Sequence, residues 1–101
     1  MDVHSIELKH SIIEELSQVI DPETGVDVMR MRLIEDLHVD SETGRVCYRF
    51  RPSSPLCPLA VTLVLNIREA VAGVPGVTVQ EIEVVGYVGA EELNAMLKES
   101  P

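Results

Sequence analysis

Two cysteines, three histidines and a pair of serines between prolines are the residues in this chain with chemistry to offer. Cys57 is the one whose surroundings suggest a use. It lies in Ser53-Ser54-Pro55-Leu56-Cys57-Pro58, directly before an apolar segment of helical period. Pro58 suits the first helical position, where its fixed φ fits and its missing N–H has no partner to lose. Cys57 then falls at or beside the N-cap, near unbonded backbone N–H groups and the positive end of the helix dipole. That setting favours thiolate, the form that attacks electrophiles and binds metals. The same residue also reads as a packed junction between loop and helix, because buried cysteines often serve as small inert hydrophobes. Local sequence leaves both readings open.

The other candidates are thinner. Cys47 is ten positions from Cys57, outside any CxxC pair, and falls on the polar face of a strand pattern. The two cysteines therefore make no self-sufficient zinc or cluster site. His4, His10 and His38 follow no ligand spacing and read as surface residues. Asp21-Pro22 is equally a helix-ending turn and a site carboxylate, and Glu23 beside it is a loop acid with less structural excuse. There is no glycine-rich phosphate loop and no nucleophile elbow.

Composition limits the partners. Eight Lys and Arg against seventeen Asp and Glu give a net charge of −9, which opposes nucleic acid and anionic lipid. Arg30, Arg32, Arg45, Arg49 and Arg51 cluster in sequence, and a solvated strand face explains them more simply than a binding patch. With no Trp, two Tyr and one Phe, the core must come from Val, Leu, Ile and Met. The N-terminal Met1-Asp2-Val3-His4 lacks a signal-peptide pattern, and the apolar run from Leu56 to Leu65 is too short to span a bilayer. The expectation is a cytoplasmic chain with reduced thiols.

The elements that must position these residues read as helix, hairpin, helix, strand, helix. Leu8, Ile12, Ile13, Leu16 and Val19 or Ile20 keep a 3.6-residue period that Asp21-Pro22 should end. Met29, Met31, Leu33, Leu37 and Val39 alternate with polar residues as one strand, broken at Ile34 and Glu35. After the Ser41-Glu42-Thr43-Gly44 turn, Val46, Tyr48 and Phe50 form one face of a second strand, antiparallel to the first. Ala60, Leu63, Val64, Ile67 and Val71 make the buried stripe of the clearest helix, with Gly73 at its end. Val77 to Val85 is a third strand whose apolar parity switches after Val79, as at a bulge or an edge. Ala90 to Lys98 is a short helix docking through Leu93, Met96 and Leu97. The expected fold is α+β in two layers: a small mixed sheet covered by helices, forming a single domain over residues 1–101.

In order and spacing, Asp21-Pro22-Glu23, Leu33-Ile34, Ser54-Pro55-Leu56-Cys57-Pro58 and Val74-Pro75-Gly76-Val77 resemble the successive motifs of the iron–sulfur assembly domain. That domain occurs in SufT-like and PaaD-like proteins and in the small subunit of the eukaryotic cytosolic iron–sulfur targeting complex. The resemblance implies a helix–two strands–helix–strand fold and a role in maturing iron–sulfur proteins. It also implies that Asp21, Glu23 and Cys57 lie near one another as the functional site, with Ser53 and Ser54 where the family has two threonines. Thr24 stands where the family often has Leu, and Arg32 where it usually has Gly.

Two classes of function follow. One is a non-enzymatic maturation factor in which Cys57 transiently holds iron, a cluster or a client's cysteine. Its partners are scaffold or client proteins, and a homodimer sharing a cluster through two Cys57 thiolates is one way to complete the ligand set. No cofactor is expected to bind the monomer stably. The other class is a thiol enzyme or redox protein with Cys57 as nucleophile, although no histidine or resolving cysteine is placed to assist it. A structural module, or a PaaD-like accessory subunit of a multicomponent oxygenase, is a third alternative.

Overall fold

The apolar stripes close on a three-stranded sheet. The computed structural model describes residues 3–99, so Met1 and Asp2, used above to read the N-terminus, lie outside the described residues. In chain order the elements are α1 (Val3–Leu16), β1 (Ile34–Asp40), β2 (Arg45–Phe50), α2 (Ala60–Ala72), β3 (Val79–Val84) and α3 (Ala90–Glu99). The sheet order is β1-β2-β3, with β1 antiparallel and β3 parallel to β2, so the expected mixed sheet and element order hold. A parallel third strand requires a crossover, and α2 supplies it. All five residues of its stripe, Ala60, Leu63, Val64, Ile67 and Val71, are at most 1% exposed. They share one core with Val46, Tyr48 and Phe50 of β2 and with Ile12 and Leu16 of α1.

Several boundaries move for physical reasons. Helix α1 ends at Leu16, well before Asp21-Pro22. Ser17 still donates its N–H to the Ile13 carbonyl, but Gln18 and Val19 donate to Glu15 and Leu16, so the last turn tightens and unwinds. Val19 packs on the core while Ile20 turns outward, 48% exposed. Residues 28–32 are turns rather than strand, despite the alternating methionines. Asp27 Oδ2 accepts the Arg30 N–H at 2.8 Å, and Met31 and Leu33 donate back to Asp27 and Val28. A side chain that caps a turn outcompetes a strand ladder locally. Helix α3 docks through Leu93 and Leu97, whereas Met96 is 44% exposed.

Of the two explanations for the parity switch in the third strand, the edge position holds, since β3 lies at one side of the sheet, and the bulge lies in β1 instead. Between the pairs Glu35–Arg49 and His38–Cys47, β1 carries one residue more than β2, and Asp36 takes a left-handed φ of 52° to absorb it. The bulge explains why Ile34 and Glu35 break the alternation. It also leaves Leu37 half-buried, while Val39 is buried opposite Val46. Strand β3 is regular. Gln80, Ile82 and Val84 turn inward, and Val79 merely sits exposed at the strand's start. Gln80 earns its inward place by accepting the Tyr48 hydroxyl at 2.9 Å and donating to the Arg68 carbonyl at 2.9 Å. At the other end of β3, the Asn94 side chain accepts the Val84 N–H at 2.7 Å and donates to its carbonyl at 3.0 Å. One amide thus takes the place of a fourth strand's residue.

Substitutions at two positions test this packing and the backbone that frames it. Leu63→Ala should lower stability by about 2–5 kcal/mol, read from the denaturation midpoint, because Leu63 is wholly buried between α2 and the sheet. Arg32 holds a left-handed φ of 58°. That conformation costs a non-glycine residue about 1–2 kcal/mol, and glycine's larger unfolded-state entropy offsets about 0.5–1 kcal/mol of the gain. Arg32→Gly should therefore hold or raise the midpoint, while Arg32→Val should lower it. A fall on Arg32→Gly would mean that the arginine side chain, not the backbone, dominates the position.

Candidate functional site

Cys57 lies in the segment between β2 and α2. Helix α2 begins at Ala60 with Leu59 at its N-cap, so Cys57 stands two residues before the cap, and Pro58 precedes the helix instead of opening it. The cause is a preceding turn. The Cys57 N–H donates to the Ser54 carbonyl at 3.1 Å, and the Cys57 carbonyl accepts the Ala60 N–H at 3.3 Å. Ser54 Oγ accepts the Leu56 N–H at 3.2 Å, so this hydroxyl serves the turn. Ser53, Ser54, Pro55, Leu56 and Pro58 are all exposed, yet Cys57 turns inward and is only 4% exposed, in the same apolar core as Phe50 and Ala60.

Asp21 and Glu23 occupy the loop after α1. A bridge between Ile20 and Asp27, with the Val28 N–H on the Val19 carbonyl, closes this loop into a narrow two-sided turn. Asp21 is 1% exposed and organises it. Its N–H donates to Val26, its carbonyl accepts from Thr24 and Gly25, and its Oδ1 accepts the Glu23 N–H at 2.8 Å. This is an Asx turn, a structural occupation for the aspartate that the Asp-Pro pair had suggested. Glu23 points to solvent. No hydrogen bond or ion pair joins Cys57 to Asp21 or Glu23, and among the described residues no three of His, Cys, Asp and Glu are arranged to hold a metal ion.

Cys47 lies on the opposite, helix-free face of the sheet. Its thiol donates to Glu81 Oε2 at 3.5 Å, Arg45 also bonds that carboxylate, and His38 stands directly across from it on β1. Partial burial, followed by the hydrogen bond and negative charge of Glu81, pushes this thiol's pKa up, against a smaller opposing pull from Arg45. Glu81 in turn is held below the usual carboxylate range, first by Arg45 and then by Cys47. Arg49 pairs with Glu83 at 2.9 Å and Asp36 at 3.3 Å, and Arg51 pairs with Glu35 at 2.9 Å. The arginines of β2 thus face acids from both neighbouring strands. The face is a solvated charge ladder, and such exposed pairs are each worth about 0–1 kcal/mol.

One contact near Cys57 escaped the sequence reading. The Val88 N–H donates to the Pro55 carbonyl at 2.9 Å, tying the Gly86-Tyr87-Val88-Gly89 loop to the cysteine segment. Gly86 takes a φ of 64°, and a Cβ there would lie 2.7 Å from Arg51 Nη1. The glycines bracketing Tyr87-Val88 were the available signal for a tight loop. A wide depression of about 780 Å³ runs over the charged sheet face and along β3, lined by Cys47, Arg49 and Glu81 as well as Tyr48, Gln80 and Asn94, and Cys57 has no part in it.

The fold and the placement of the motifs agree with a known class. The sequence pattern of the iron–sulfur cluster assembly protein family matches residues 9–84, and this chain belongs to that family. The match starts inside α1, ends at the last residue of β3 and includes Asp21, Glu23, Ser53, Ser54 and Cys57. The Fe-S protein maturation auxiliary factor YitW of Bacillus subtilis is 37% identical over 78 residues, 77% of this chain and 76% of that protein. The uncharacterized protein MJ1129 of Methanocaldococcus jannaschii is 35% identical over 91 residues, 90% of this chain and 95% of its own length. The crystal structure of a domain of unknown function, DUF59, from Bacillus anthracis superposes with a TM-score of 0.73 at 27% identity, covering 95% of this chain and 92% of that one. No helix among the described residues is long and apolar enough to cross a membrane.

The thiol–carboxylate contact on the open face gives a direct test. In a Cys57→Ser variant, the alkylation rate of Cys47 should inflect above about pH 8.5, the range of a free thiol. Glu81→Gln removes the negative charge that opposes ionisation, so the inflection should move down. An inflection that stays in place would show that Glu81 does not act on the thiol in solution.

Proposed function

We propose that this protein is a non-enzymatic factor in the maturation of iron–sulfur proteins, with Cys57 as its working thiol. The family match across residues 9–84, with Cys57 in the turn before α2, is the observation that carries this reading. Iron or a cluster is then cargo, held transiently, and no cofactor belongs to the monomer. Scaffold and client proteins are the partners, in the cytoplasm, and residues 1–101 act as one assembly domain. Asp21 shapes the loop that presents Glu23, and Glu23 is the solvent-facing carboxylate available to cargo or partner. The Ser54 hydroxyl holds the turn that carries the thiol, with exposed Ser53 beside it.

The ligand count sets how cargo is held. Clusters ordinarily take about four thiolate or equivalent ligands. This chain has Cys57 in the core on the helix-covered side of the sheet and Cys47 on the open face, and that separation by the sheet keeps both from meeting one cluster. Two copies pairing their Cys57 thiolates, outside ligands, or the client itself must complete the set.

Cys57→Ala should keep the wild-type denaturation transition within about 1–2 kcal/mol and abolish support of client maturation, while Cys47→Ala leaves maturation intact. Maturation that survives Cys57→Ala would refute the assignment. Anaerobic reconstitution followed by native mass measurement checks the ligand count. A monomer retaining an intact cluster without added small thiol would overturn it.

A further inference from the structure

Cys57 is the inward-turned residue of a stretch that otherwise faces water. Leu56 beside it is 72% exposed and Cys57 4%, so the thiol cannot meet cargo or reagent without backbone motion. Little holds the stretch down. The bonds from Cys57 N–H to the Ser54 carbonyl and from Leu56 N–H to Ser54 Oγ are internal and travel with it. Pro55 and Pro58 have no N–H to contribute. Toward α2, the Ala60 N–H on the Cys57 carbonyl marks the hinge end. From outside, the backbone bond that restrains the middle of the stretch comes from Val88 to Pro55. Val88 is itself 71% exposed, in a loop bracketed by Gly86 and Gly89.

We propose that the 86–89 loop is a latch on Cys57: residues 53–58 open as a unit and uncover the thiol when the bond between Val88 N–H and Pro55 C=O breaks, with the rest of the fold intact. Exposed segments with few outside hydrogen bonds are the ones that open below the global unfolding free energy. The other members of the core that Cys57 joins, among them Phe50, Ala60 and Leu63, belong to α2 and the sheet and need not move. The latch takes its purpose from the reading of Cys57 as the working thiol, but its existence is measured separately.

A Cys47→Ser variant leaves Cys57 as the sole thiol. Its alkylation by iodoacetamide is followed under native conditions and with rising urea, beside global unfolding and hydrogen exchange of the Val88 amide. Cys57 should react at least about tenfold faster than global unfolding permits, and the Val88 amide should report the same opening equilibrium. Val88→Pro deletes the donor and should raise the native alkylation rate about fivefold, the effect of losing one hydrogen bond of ordinary net strength. Cys57 reactivity that tracks the global unfolding curve overturns the proposal, as does a thiol that becomes accessible while the Val88 amide stays protected. If Val88→Pro does not fold, amide exchange in the chain that keeps Val88 decides. Loss of the latch leaves the Cys57→Ala maturation result untouched, so the two readings fail independently.

Discussion

Everything in this fold hangs on the two-faced character of β2. As the middle strand it is bonded on both sides, so its inner residues Val46, Tyr48 and Phe50 have no route to solvent and must be covered. The stripe of α2 covers them. Because α2 is also the crossover to a parallel third strand, the burial that stabilises the core fixes where the chain leaves β2 and where it returns. The cysteine segment is the first half of that crossover, and its position is a by-product of how β2 must reach α2.

The outer face of the same strand shows how an acidic chain uses its few cations. Arg45 and Arg49 each meet a carboxylate on β3, and Arg49 and Arg51 meet one on β1. Directly opposed unlike charges favour one register over its neighbours, since a shift of one residue would place the arginines in the core. Partial burial and Glu81 raise the Cys47 thiol's pKa in this setting, whereas Cys57 sits among apolar groups at the other side of the sheet.

Strong periodicity was legible in the sequence and local side-chain bonding was not. The α2 stripe and the inner face of β2 could be read residue by residue, because the 3.6 and 2.0 periods were long and unbroken. The methionines at 29 and 31 mimicked a strand, and only the Asp27 carboxylate on a backbone N–H shows why a turn prevails there. Arg32 stood where the family usually has Gly, and its left-handed φ is the structural reason for that preference. The cysteine motif was visible as a motif. Its geometry was not, because Pro58 fits the first turn of a helix as well as the turn before one. The inward pointing of Cys57 and the bond from Val88 are tertiary facts that no local pattern encodes.

The Asn94 amide bonded to both backbone groups of Val84 has a consequence for the protein in crowded solution. Along β3, alternate residues face β2, as the Val79 and Val85 N–H groups on Gly44 and Phe50 show, so Gln80, Ile82 and Val84 turn their backbone polar groups to the open edge. With Val84 occupied, the open ladder shrinks to Gln80 and Ile82, too little for a neighbouring chain to zip onto. An unprotected edge strand is a template for intermolecular sheet growth and aggregation. A single asparagine projected from the next helix removes that template at the last residue of β3, so the chain can keep a parallel edge strand without a fourth strand to guard it.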